Sequence, residues 1–138
     1  MSFWKWYQRK VNERTVERIR TKSGTMWGMD MVILRTKGRK SGRPRETPLC
    51  WFPHDGGWLV VASGGGKGTP DWYANLTAHP ESVEIERHGQ QPVPVKPAVL
   101  TGEERRAAWE KVVTAQPRYA KYQKKASREY PVVKLQAA

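Results

Sequence analysis

The chain has 138 residues, 25 Lys and Arg against 13 Asp and Glu for a formal charge of +12, seven Trp and one cysteine. That length suits a single domain, and 38% hydrophobic residues are enough to build an interior for a soluble chain. Cys50 alone excludes an intramolecular disulfide, no apolar run approaches a bilayer span, and no signal-peptide core opens the sequence, so a cytoplasmic protein is expected.

The charge predicts attraction to a phosphate-rich partner, whether anionic cofactor, lipid or nucleic acid, without choosing among them. From Phe3 to Arg20 the chain is basic, with Trp4, Tyr7, Val11 and Ile19 at spacings that fit one helical stripe ending before Gly24. Residues 1–22 thus read as an N-terminal amphipathic basic helix. Its stripe either packs on the domain or sets aromatics beside cations at a lipid interface, giving a peripheral membrane contact.

Met29 to Arg35, Thr47 to Phe52 and Trp58 to Ala62 read as three sequential strands of an antiparallel meander, the last two joined at Gly56-Gly57. Thr69 as N-cap and Pro70 at the first helical position predict a helix over Asp71 to Ala78, stopped by Pro80. Val83 to Arg87 alternates as a strand, and a partner runs from Val93 toward Leu100, placed at a sheet edge by Pro92, Pro94 and Pro97. Thr101 with Glu104 forms a capping box for an amphipathic helix through Ala108, Trp109, Val112 and Val113, closed by Pro117. Tyr119 to Ala126 predicts a further helical turn and Tyr130 to Leu135 a last strand. About six mainly antiparallel strands with three or four helices make an α+β barrel.

Six basic residues and no acid lie between Arg35 and Arg45. Gly38 and Gly42 allow a tight turn, and Ser41 adds a hydroxyl, so this stretch reads either as a solvated basic hairpin or as a phosphate site. Ser63 to Gly68 places four glycines and Lys67 between a strand and a helix N-terminus, where backbone can approach an anion or simply form a surface loop. It is not a P-loop, because Gly68 follows the lysine, and the dinucleotide fingerprint is absent.

His54, His79 and His88 are scattered, and no nucleophile elbow or paired cysteine is present, so neither hydrolysis nor a metal site is expected. Cys50, among Leu49, Trp51 and Phe52, reads as a small buried hydrophobe. Hydride transfer by a bound cofactor suits this scarcity, since the protein then supplies position and exclusion of water. Tyr119, Tyr122 and Tyr130 could turn phenols to an acceptor or pack in the core.

Four stretches together resemble the deazaflavin-dependent nitroreductase family of flavin-type split β-barrels. They are Thr36 with Gly38-Arg39-Lys40-Ser41-Gly42, Arg45 and Pro48-Leu49; Val61-Ala62-Ser63 with its glycines; Pro70, Trp72-Tyr73, Asn75-Leu76, Ala78 and Pro80; and Glu103-Glu104-Arg105, Trp109, Pro117, Tyr119, Tyr122 and Pro131. The resemblance implies a single-domain split barrel that binds coenzyme F420 as the reduced deazaflavin F420H2. Its phosphate and oligoglutamate tail would lie on the basic turn with Arg39 and Gly42, nearest Lys40, Ser41 and Arg45. The ring would lie against Pro48, Ala62, Ser63, Gly64, Gly65, Gly66 and Lys67, with Trp72 and Asn75 lining the pocket.

Hydride would pass to a quinone, enone or nitroaromatic acceptor, with Ser63, Tyr119 and Tyr122 as catalytic contacts and Tyr130 beside them as a substrate contact. Gly64 replaces the Lys or Asn that the family often has after its serine, and Gln116 replaces a further tyrosine, which favours a quinone or enone over a nitro compound. A monomer or small homo-oligomer is expected. Two rivals remain: an FMN-dependent enzyme of the same barrel, for which six clustered cations are more than one phosphate calls for, and a non-enzymatic nucleic-acid binder, which lacks any recognised motif.

Overall fold

The computed structural model describes residues 3–64 and 68–138, with the Trp4 side chain outside the description. Helix α1 (Phe3–Thr21) contains no Gly or Pro and places Arg18 and Arg20 in its last turn, where cations suit the helix dipole. The predicted stripe is divided along its length. Val16 and Ile19 are buried with Met26, Met29, Met31 and Ile33, whereas Tyr7 and Val11 are exposed.

The strands are β1 (Thr25–Met26), β2 (Met29–Lys37), β3 (Pro44–Cys50), β4 (Phe52–His54), β5 (Gly57–Val61), β6 (Glu84–Glu86), β7 (Val93–Val99) and β8 (Val132–Ala137). Helices α2 (Asp71–Ala78), α3 (Gly102–Ala115) and α4 (Arg118–Lys125) complete an α+β domain. Every pairing is antiparallel, in the order β1-β2-β6-β7-β8-β5-β4, with β3 paired only to β2. The sheet curls around a core of Val32, Leu34, Val60, Ile85, Val95, Val133 and Leu135, and a second cluster lies under α3.

Three expectations are corrected. The stretch from Thr47 to Phe52 is two strands: Trp51 still gives its N–H to Asp30 O at 3.1 Å, but Phe52 pairs with Leu59 of β5 and Pro53 has no N–H to continue the ladder with β2. The meander therefore stops at β3, and β5 pairs with β4 and β8 instead. Strand β7 is not at an edge; it lies between β6 and β8 and changes ladder midway, pairing Val93 and Pro94 with β6 and Val95 to Val99 with β8. Neither expected cap forms: α2 is capped by Pro70 rather than Thr69, and Thr101 makes no side-chain cap bond to α3.

Candidate active site

The basic segment forms the end of the β2–β3 hairpin. Gly38 N–H donates to Arg43 O and Gly42 N–H to Gly38 O, both at 2.8 Å, while Ser41 Oγ accepts from Arg43 N–H at 3.2 Å and keeps its own O–H to donate. A Cβ at position 38 would stand 2.7 Å from Ser41 Oγ and 3.2 Å from Arg43 O, so a larger residue there would have to displace the Ser41 hydroxyl and crowd the turn. Arg39 fastens it to α2: its backbone N–H and its guanidinium donate to Asn75 Oδ1 at 3.1 and 2.9 Å, and Asp71 pairs with the same guanidinium at 3.2 Å.

Beside this turn lies a groove of about 600 Å³. It is lined by Gly38, Arg39, Lys40, Ser41, Arg45, Trp72 and Asn75, so the structure gathers six predicted cofactor residues in one place. Its opposite wall is α1, through Lys5, Gln8, Arg9, Asn12, Glu13, Val16, Glu17 and Arg20. Sequence reading missed this wall because it looked for apolar periodicity; the signal present was a polar stripe recurring every three or four residues.

The groove is less uniformly basic than its hairpin. Glu46 accepts from Arg20 at 2.7 Å, and Arg20 also holds Glu86 at 2.7 Å, tying α1 to β3 and β6. Bonding to both carboxylates raises the Arg20 pKa, and the same guanidinium holds the Glu86 carboxyl below its ordinary range. Among the described residues Lys40 and Arg45 have no carboxylate partner. Thr36, opposite Arg45 in the ladder, has a buried hydroxyl without a partner. Two uncommitted cations, a hydroxyl donor and a tight turn fit a phosphate-bearing anionic cofactor.

The other predicted residues lie outside the groove lining. Pro48 is half-buried on β3 opposite Ile33, and Ala62 is fully buried in the first core cluster, its N–H donating to Pro131 O at 2.9 Å and its carbonyl accepting from Arg128 at 3.1 Å. Ser63 and Gly64 follow it, partly exposed, with Gly64 at φ +61° and its Cα hydrogen side 3.5 Å from Pro70, reckoned at the position of a Cβ. This loop thus abuts the start of α2, two residues before Trp72. Gly65, Gly66 and Lys67 lie outside the described residues.

Tyr119 and Tyr122 pack edge to face at 6.1 Å on α4, and Tyr119 meets Phe52 in the same manner at 5.9 Å. Burial and then the neighbouring Cys50 raise the Tyr119 pKa, keeping its phenol protonated; burial pushes the Cys50 thiol up to about 11. Tyr122 is exposed, while Tyr130 is in the second core cluster with its hydroxyl donating to Tyr122 O at 3.1 Å. Tyr130 therefore supports Tyr122 from beneath instead of facing open space.

His54 is not as isolated as its sequence position suggests, since it clusters with Asp55 and Glu104. Its Nδ1 lies 2.8 Å from Lys111 Nζ, and its Nε2 lies 3.4 Å from the Asp55 carboxylate and 3.9 Å from that of Glu104. Among the described residues no helix is long and apolar enough to cross a membrane.

The profile of the F420H(2)-dependent quinone reductase family matches residues 6–137. An F420H(2)-dependent quinone reductase of Mycobacterium tuberculosis is 37% identical over 110 residues, covering 75% of this chain and 71% of that protein. The solved structure of an F420-H2-dependent reductase is 38% identical, with a TM-score of 0.68 over 77% of this chain and 93% of that one. A further solved structure, described only as a domain-swapped dimer, is 34% identical with a TM-score of 0.70, covering 98% of this chain and all (100%) of the other. On the family profile, the relatives and the shared split-barrel fold, this chain belongs to the F420H(2)-dependent quinone reductase family and is a deazaflavin-dependent oxidoreductase.

Proposed function

We propose that this protein binds F420H2 with its phosphate and acidic tail in the groove between α1 and the Gly38–Arg45 turn, and passes a hydride to a quinone. The observation that carries this reading is the pair of uncommitted cations, Lys40 and Arg45, on a groove of about 600 Å³ braced by Asn75. When bound, the deazaflavin supplies a two-electron hydride chemistry that no side chain of the protein provides.

The chain's own residues position and shield. Lys40, Ser41 and Arg45 hold the phosphate, Trp72 and Asn75 bound the groove, and the backbone of Ala62, Ser63 and Gly64 approaches the ring beside Pro48. Tyr122 and Ser63 meet the acceptor, with Tyr119, held as a neutral phenol, able to donate a hydrogen bond to a quinone oxygen as charge builds on it. Gln116, exposed enough to meet a ligand, leaves room for a quinone or enone where a tyrosine would narrow the site.

Exposed Phe3, Trp6, Tyr7 and Val11 on α1 support a peripheral lipid contact that would keep the site near membrane quinones. The free edge of β3 supports a small homo-oligomer, which light scattering after size exclusion would read directly.

The test is titration with F420H2 and separately with FMN, followed by menadione with cofactor absorbance recorded. F420H2 binding with menadione-dependent oxidation supports the reading. Binding of FMN alone would change the cofactor, and binding of neither, with a salt-dependent shift of single-stranded DNA, would return the chain to nucleic-acid binding.

A further inference from the structure

Arg128 was given no part by sequence, and its guanidinium stands behind the glycine loop. Its Nη2 donates to three carbonyls there, Ala62 O at 3.1 Å, Ser63 O at 3.3 Å and Gly68 O at 2.6 Å. The same guanidinium lies 5.1 Å over the Tyr130 ring, whose hydroxyl holds the carbonyl of Tyr122. Gln123 of α4 fixes the segment from both sides, donating to Arg128 O and accepting from Tyr130 N–H, each at 2.8 Å. One side chain therefore ties the loop to the helix that carries Tyr119 and Tyr122.

The geometry has a directional consequence. In a trans peptide the carbonyl and the following N–H point in opposite directions. Three carbonyls turned toward Arg128 turn the N–H groups of Ser63, Gly64 and Thr69 away from it. None of these three donates to another described residue. Gly64, at φ +61°, then turns the chain next to Pro70 at the start of α2.

We propose that Arg128 is a positioning residue that sets these three backbone donors toward the bound cofactor and, through them and its own charge, favours the reduced deazaflavin over the oxidised form. This rests on the reading that the ring lies against the loop. Reduction makes the ring more electron-rich, so preorganised donors and a nearby fixed cation stabilise that state more than the oxidised one. Charge alone is not sufficient, because the guanidinium gives Nη2 to these carbonyls while its plane lies over the Tyr130 ring, a placement an ammonium does not reproduce.

The experiment measures dissociation constants for oxidised and reduced F420 in wild type, Arg128→Gln and Arg128→Lys, together with amide exchange of the cofactor-free proteins. Arg128→Gln should lose about tenfold or more in affinity for the reduced form and less than about threefold for the oxidised form, with Arg128→Lys between it and wild type. Without cofactor, the Ala62 amide, bonded to Pro131 O at 2.9 Å, should exchange several-fold faster in both variants, while that of Leu59 within β5 stays as it was. Equal loss for both redox forms, or a wild-type ratio in whichever variant folds, overturns the proposal and leaves the cofactor reading intact. Wild type that binds neither form overturns the cofactor reading, and this proposal with it.

Discussion

Asn75 Oδ1 accepts two hydrogen bonds from Arg39, one from the backbone N–H at 3.1 Å and one from the guanidinium at 2.9 Å. A single buried amide on α2 thus fixes the hairpin turn that carries Lys40 and Arg45, the cations proposed to hold the cofactor. In Asn75→Ala the Arg39 N–H is orphaned and the turn loosens, which should cost about 1–3 kcal/mol. Urea unfolding should show a lower midpoint at unchanged slope, and F420H2 affinity should fall as well. An unaltered midpoint would mean that solvent replaces the amide without cost.

Lys40 separates binding from folding. It is exposed and has no carboxylate partner among the described residues, so Lys40→Ala should leave the unfolding midpoint in place. Loss of a charge-assisted bond to phosphate should weaken F420H2 binding by about 1.5–3 kcal/mol in a fluorescence titration. Equal affinity in the variant would place the phosphate elsewhere in the groove.

The bond between Arg20 and Glu86 gives stability a pH dependence of known sign. Hydrogen bonding to Arg20 holds the folded carboxyl below its ordinary 4.5, so the contribution is complete above that pH and disappears as the pH falls through the lowered folded value. Arg20 is 37% exposed on its side chain and keeps Glu46, so Glu86→Gln should cost only about 1–2 kcal/mol at pH 7 instead of the larger loss of a fully buried pair. As the pH falls below 4.5 and through the lowered folded value, the difference between wild type and variant in urea should shrink toward zero. A difference that stays constant would show that the carboxyl is not held in this way.

Much of the fold was legible because local signals agreed with it: the α2 boundaries follow from Pro70 and Pro80, and β2 from its apolar run. The site was half legible. Clustered cations and glycines are adjacent in sequence, so the turn announced itself, whereas Arg128 meets Ala62 across 66 positions and Arg39 meets Asn75 across 36. No local pattern marks such pairs, since it is the closure of β5 on β8 and the packing of α2 on β2 that bring them together. The α1 wall was missed for a different reason, as polar residues at helical spacing read as solvent-facing until a groove is placed beside them.

Cys50 and Tyr119 make a prediction about reactivity. Burial pushes the thiol up to about 11, so on the order of one thiol in a thousand is ionised at pH 8. Reaction with a disulfide reagent should be slow at pH 8 and rise with pH toward that value. Tyr119→Phe removes a bond that favours the thiolate, so the reaction should become slower still, and turnover with menadione should fall with cofactor affinity nearly intact. A faster reaction would mean that the phenol shields the sulfur more than it tunes it, and a large loss of affinity would move Tyr119 to the cofactor side.

The lipid contact is best tested without removing α1, because residues 1–22 include Val16 and Ile19, which are buried in the third core cluster. Phe3 and Trp6 are 77% and 49% exposed, with ring centroids 6.0 Å apart, so the double substitution Phe3→Ser, Trp6→Ser changes the outer end of the helix and leaves the core alone. If these rings enter the interface, losing their burial should reduce co-sedimentation with phosphatidylglycerol vesicles about tenfold or more at equal net charge. Added salt should weaken both proteins, since Arg9, Lys10 and Arg14 contribute attraction to the anionic surface in each. Equal recovery of wild type and variant would assign the binding to charge alone, and the exposed aromatics would then need another partner.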